Sequence, residues 1–259
     1  MKAIPAILLA LLLIVSLVHG GSYSSQHRES IDAPPSWRFP LGTDDLGRDR
    51  FVRLLDATRI SVLFAGAAAF AATLLASLAG GIAGYTGGWF DHMVVRTIDV
   101  LLSLPSLFLL LVTRALMPLN ISPVLSLLVT YALMAAMGWL SPARVIRAGV
   151  RSFFDSEYVL QARAEGCSEA RILVRHILPN LRPILLAQFW TSVPVFILTE
   201  ASLGFLGLSA GEPFPTWGSL LHELQNPLMA RPEAFAPIVA IALCVCCFKR
   251  ITPWRVSQI

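Results

Sequence analysis

The sequence predicts an all-α integral membrane protein, one bundle of six transmembrane helices, on three observations. Of its 259 residues, 56% are hydrophobic and only 14% charged, where ordinary soluble domains carry about 25% charged residues. Mean hydropathy is +0.69. The apolar residues fall in long runs without strict alternation, too long for barrel strands, so helices are the spanning solution that satisfies the backbone. Finally, a polar, arginine-rich island at 144–183 lies between two runs that are each long enough to cross a bilayer.

Residues 1–20 hold the first apolar run, behind Lys2. The run fits either a signal peptide or an uncleaved signal-anchor span. Val18 and His19 match the small-x-small cleavage pattern poorly, and a span gives an even number of crossings, so the span is the expectation. Residues 21–59 form an extracytoplasmic segment. In it Asp44 or Asp45 can cap a surface helix with Phe51, Leu54 and Leu55 on one face and Arg48, Asp49, Arg50 and Arg53 on the other. The Asp44, Asp45, Gly47, Asp49 pattern hints at calcium, but the bidentate glutamate an EF-hand needs does not follow.

The second span covers about 60–85, and its Gly80 and Gly84 make a small-xxx-small pair that admits close helix approach. Residues 86–99 read as a short interfacial helix anchored by Trp89. The third span, about 100–117, is bent by Pro105, with Arg114 free to snorkel outward near its end. The fourth covers about 124–140 and leads into the island. The fifth, about 184–206, contains Pro194 and Glu200. An ionisable group at that depth marks a translocation path or gate, or else reaches water near the outer end. Residues 207–233 form a long outer segment with a short amphipathic helix after Trp217 and Gly218. A loop this long in a compact bundle reads as a docking or gating surface. The sixth span, about 234–248, is short, and Lys249, Arg250 and Arg255 keep the tail, 249–259, inside.

The island's charge sets its side. Seven arginines between Arg144 and Arg182 outnumber Asp155, Glu157, Glu165 and Glu169, and such an excess beside spans marks the cytoplasmic face. Both termini then lie in the cytoplasm. Within the island a helix over 157–165 ends at Gly166, where a turn needs positive φ. Ser168 can cap a second helix, 169–178, with Pro179 as its stop. The product is a helix-turn-helix, better organised than a mere connection, which suggests a surface that a soluble partner grips.

No G-x-x-x-x-G-K-[ST] loop, nucleophile elbow or H-E-x-x-H occurs, so the expectation is a chain without catalysis of its own. The four cysteines show no metal-ligand spacing with the scattered histidines, so no metal site is expected. The net charge of +4 sits beside membrane ends, which suits anionic lipid, and no basic patch interleaved with aromatics suits nucleic acid.

Four stretches resemble one family. In ARAEGCSEARILVRHILPN, Gly166 precedes Pro179 by thirteen residues, and Ala162 keeps the second alanine of an EAA loop whose first two positions are here Leu160 and Gln161. The others are FPLGTDDLGRDRFVRLLDATRIS, GYTGGWFDHMVVRTIDVLLSLPSL and EASLGFLGLSAGEPFPTWGSLL. Together they are similar to the membrane permease subunits of ABC importers, specifically the C-type permease of the dipeptide, oligopeptide and nickel class. The end of the chain, CVCCFKRITPWRVSQI, departs from the family's pattern.

The resemblance implies half of a translocation pathway for short peptides or a related small solute, in a bacterial or archaeal plasma membrane. It implies a second homologous permease, two ATP-binding subunits that hold ATP and magnesium, and an extracytoplasmic substrate-binding protein. Ala162, Gly166, Cys167, Ser168, Ile177, Leu178 and Pro179 would then form the loop that couples to an ATP-binding subunit. Asp45, Gly47, Arg48, Asp49, Trp217 and Gly218 would belong to the outer docking surface, and Glu200 to the path or gate. The alternative is an ion-coupled secondary transporter or channel working without an ATPase, in which the island is only regulatory.

Overall fold

The computed structural model describes residues 4–18, 25–118, 120–209, 213–225 and 232–251. Parts of the expected first span, outer segments and tail therefore lie outside the described residues. Among those described the chain is helical, with two isolated antiparallel bridges, Gln26 to Arg48 and Thr43 to Asp49. Four helical stretches are long and apolar enough to cross a membrane: Arg50–Thr86, Pro123–Phe153, Glu169–Phe205 and Pro232–Arg250. The pair α3 (Gly88–Leu102) and α4 (Ser106–Ala115) is bent by 73° across the break at 103–105, which holds Pro105, and is either one broken span or a re-entrant loop. Helix α1 (Ile4–Val18) has 15 residues, about 22 Å, short of the roughly 30 Å bilayer core.

Helix α2 (Arg50–Thr86) runs unbroken for 37 residues, so the expected surface helix and second span are one element. No glycine or proline separates Asp56 from Ile60, and Asp56 pairs with Arg59 one turn on at 3.1 Å. Its cap is neither Asp44 nor Asp45. Asp49 Oδ1 accepts the Phe51 amide at 2.8 Å, while Asp44 Oδ1 accepts the amides of Leu46 and Arg48 inside the preceding loop.

The chain divides into two compact units. Among the described residues, one unit holds those up to Gly66, with Leu111–Tyr131 and Val193–Ile251, and the other holds Ala67–Leu110 and Ala132–Ser192.

In the second unit, α2 packs on α6 (Leu140–Phe153) through the glycine pair. A Cβ on Gly80 would fall 2.3 Å from the Ala143 carbonyl oxygen, and one on Gly84 2.6 Å from that of Arg147. Small residues here set the helix separation. Helix α3 buries Asp91, Val94 and Ile98, one stripe at helical spacing, and the core continues through Ile146, Val150, Val159 and Ile172. After α7 (Glu157–Ala164) and α8 (Glu169–Arg171) comes a π-helical turn, Ile172–Ile177, then a 3₁₀ turn, Leu178–Leu181, then α9 (Arg182–Phe205). Pro179 therefore does not stop the chain's helical course. It sits at the start of the 3₁₀ turn, where a missing amide costs least, and the Asn180 side chain donates to the His176 carbonyl at 2.7 Å.

The first unit holds residues 25–49, the start of α2, the end of α9, α10 (Trp217–Glu223) and α11 (Ala236–Ile251). Thr216 caps α10 in a reciprocal capping box with Ser219.

Candidate functional site

The island's turn is built by backbone hydrogen bonding. Gly166 has φ +76°, its amide donates to the Arg163 carbonyl at 3.0 Å, and the Cys167 amide donates to that of Ala162 at 3.0 Å. This pair of bonds closes α7 as a Schellman turn, which needs a residue at ease in the left-handed region. Ser168 occupies the position before α8 but makes no capping hydrogen bond through its hydroxyl.

The island presents one face and buries the other. Val159, Ala162, Ile172 and Ile177 are in the core, and Cys167, Leu178 and Pro179 are half-buried. Gly166 and Ser168 are exposed, as are Leu160 at 49% and Val174 at 62%, two apolar residues in a polar segment. Of the seven residues expected at the coupling surface, Ala162 and Ile177 hold the loop in place from below instead of facing outward. Leu160 and Val174 were not anticipated. With Val159 and Ala162 turned inward, a helix of 3.6 residues per turn puts Leu160 outward, so the pattern EYVLQARA carried that signal.

Charge fastens the same unit. Asp91, buried on α3, accepts from Nη2 of Arg147 at 2.6 Å and from Arg151 at 2.7 Å, both on α6, and Arg147 Nε also reaches it. Arg144 pairs with Asp99 at the surface, where such a contact is worth about 0–1 kcal/mol.

In the first unit, the expected outer docking residues divide. Asp45 is exposed, Arg48 and Asp49 are half-buried, and Gly47 is buried with φ +73° against the His27 carbonyl. The Asp44 carboxylate is engaged by Arg48 at 2.7 Å and Arg53 at 2.8 Å, an arrangement that leaves it no role as a calcium ligand. Arg53 also reaches Glu223 of α10.

Trp217 and Gly218 correct the sequence reading, for they are interior. Trp217 is fully buried. Its indole N–H donates to Thr58 and its backbone amide to Ser61, both at 3.1 Å. Gly218 meets Gly204 of α9 so closely that a Cβ on Gly204 would lie 2.4 Å from the Gly218 Cα. Neither residue can present itself to a docking partner in this arrangement; they seat α10.

Glu200 is buried at 3% exposure, with the Gly218 amide and the Thr216 side chain beside it and Oε2 without a hydrogen-bond partner among the described residues. It does not reach water. Arg114 does not snorkel either. It is 8% exposed, and its guanidinium donates to the carbonyls of Leu208 and Ser209 and to the Ser126 hydroxyl at 2.7–3.0 Å. Those carbonyls follow the Schellman turn at Gly207, φ +80°, where α9 ends, so the helix no longer supplies them with donors.

Helices long and apolar enough to cross a bilayer, with an exposed glycine turn packed against them, define a helical membrane protein. Residues 76–254 match the family described as binding-protein-dependent transport system inner membrane component. The chain belongs to that family. It is similar to the oligopeptide transport system permease protein OppC of Bacillus subtilis (strain 168), 34% identical over 201 residues, 78% of this chain and 64% of the relative. It is likewise similar to the dipeptide transport system permease protein DppC of the same organism, 34% identical over 209 residues, covering 78% and 63%. The glutathione transport system permease protein GsiD of Pectobacterium atrosepticum is 32% identical over 222 residues, covering 85% and 72%. The chain spans just under two thirds of the length of the two Bacillus relatives.

Proposed function

We propose that this chain is a permease subunit of an ATP-driven importer, forms half of a translocation pathway for short peptides or a related small solute, and performs no covalent chemistry. The observation that carries this reading is the Gly166 turn: a Schellman-closed hinge, exposed on one side with Leu160 and Val174, and locked on the other into the core shared by α2, α3 and α6. Such a loop suits a mechanical contact with a soluble motor, because pushing on it moves a packed body. The names of the relatives support peptides as the solute class.

In this reading the partners are a second homologous permease, two ATP-binding subunits that hold ATP and magnesium, and an extracytoplasmic substrate-binding protein. On the same reading the chain lies in a bacterial or archaeal plasma membrane and crosses it six times, with residues 1–20 as the first span, both termini in the cytoplasm and its positive charge near anionic lipid. It has no nucleic-acid partner.

The test is co-purification of the chain with ATP-binding subunits from the same cell, followed by ATPase activity in lipid vesicles. Association with stimulated hydrolysis supports the reading; a chain that moves solute on an ion gradient with no ATPase partner would replace it with a secondary transporter.

Glu200→Ala leaves the Gly218 amide without that acceptor inside the protein, which costs about 1–3 kcal/mol. The expected outcome is uptake reduced several-fold with ATP-binding-subunit association unchanged. Uptake equal to wild type would retire Glu200 from the path and the gate.

A further inference from the structure

The flanks of the Gly166 turn are tied to the end of α2 by contacts unlike those of the core. Tyr85 is in the last turn of α2, Phe154 follows α6, Arg163 is in the last turn of α7, and Glu169 opens α8. The Tyr85 and Phe154 rings meet edge to face, 5.4 Å between centroids at 64°. The Arg163 guanidinium lies 4.2 Å from the Phe154 ring centre and 5.9 Å from that of Tyr85. The Tyr85 hydroxyl donates to Glu169, and Arg163 Nε stands 3.9 Å from the same carboxylate. Arg163 and Glu169 flank Gly166 symmetrically, three residues before and three after, so the charged pair brackets the hinge.

The turn itself is open: a Cβ at Gly166 would meet nothing within 4 Å. Beneath it, Val159 and Ala162 make apolar, non-directional contacts in the core. The aromatic and ionic cluster is different. It is directional, half-exposed, and joins four elements at one point. A guanidinium is suited to this place because its flat face stacks on one ring while its edge faces a carboxylate, which an ammonium cannot do.

We propose that Arg163, set over the Phe154 ring beside Tyr85 and paired across the turn with Glu169, is the positioning residue through which displacement of the Gly166 turn is transmitted to α2. This rests on the permease reading above and adds the route by which the loop's motion enters the membrane helices. Arg163 acts through Tyr85, and the Tyr85 hydroxyl fixes the Glu169 side of the bracket.

The test uses the whole complex of this chain with its co-purified ATP-binding subunits in lipid, trapped with magnesium-ATP and orthovanadate. Hydrogen exchange is read by mass spectrometry over residues 80–92, together with subunit affinity and the extent of vanadate trapping. In the wild type, trapping changes exchange in this segment. In Arg163→Gln and Tyr85→Phe that change is expected to fall at least fivefold, with subunit affinity and trapping within twofold of wild type. Arg163→Lys, which keeps the charge and loses the flat stack, is expected to follow Arg163→Gln. A merely structural role would lower affinity, trapping and exchange response in parallel, and that pattern would overturn the proposal. So would a full exchange response in Arg163→Gln, or a wild type that hydrolyses ATP with no response in 80–92. A wild-type chain that engages no ATP-binding subunit overturns the permease reading itself, which separates the two failures.

Discussion

Gly166→Pro is expected to leave the chain inserted in the membrane while stimulation of ATP hydrolysis by its partners falls at least tenfold. Proline cannot take φ +76°, and it removes the amide that donates to the Arg163 carbonyl. The turn then opens, and α7 and α8 lose their fixed angle. Gly166→Ala separates geometry from bulk. A Cβ there meets nothing, so alanine costs only the left-handed strain, about 1–2 kcal/mol, and stimulation should stay within threefold of wild type. Membrane-fraction abundance and ATPase rate in vesicles read both variants. Wild-type stimulation by the proline variant would remove the turn from the coupling route.

Gly80→Val is expected to cost about 3 kcal/mol or more, through overpacking against backbone that has no room to yield. The first atom of the new side chain falls 2.3 Å from the Ala143 carbonyl oxygen, so α2 and α6 must part. A rigid acceptor of this kind cannot rotate away as a side chain could. Gly66→Val is the matched control on the same helix, since a Cβ at Gly66 has nothing within 4 Å. Thermal unfolding in detergent should show a large loss for Gly80→Val and little for Gly66→Val. Equal behaviour would mean that the glycine pair does not set the helix separation.

The all-helical character of the chain and the turn at Gly166 were legible because each is a local property. Apolar runs declare themselves by length, and Gly166 follows a helix whose end needs left-handed backbone. Boundaries were less legible. The change from amphipathic to uniformly apolar at Asp56 to Ile60 looked like a break, yet nothing there interrupts the helix hydrogen bonds, and α2 continues. Pro179 read as a stop because proline usually is one, but a π turn followed by a 3₁₀ turn carries the chain past it. Least legible were Trp217 and Arg114. An aromatic and a cation in or near polar loops look like surface, and their partners lie far along the chain: Thr58 and Ser61 for one, Leu208 and Ser209 for the other. Sequence pattern reports which face of a helix is apolar, and is silent on which distant hydroxyl or carbonyl will meet it. The same holds for the bracket around Gly166, where Tyr85 joins residues about seventy to eighty positions later.

The Asp91 cluster has a history as well as a geometry. Its arginines are 56 and 60 positions downstream, so at ordinary synthesis rates of 5–20 residues per second Asp91 leaves the ribosome about 3–12 s before they do. Through that interval the carboxylate has neither counter-charge, and burying it alone would be prohibitive. Arg147 and Arg151 therefore complete a pairing that the earlier part of the chain cannot make by itself: Asp91 gains its counter-charges only once both have been synthesised.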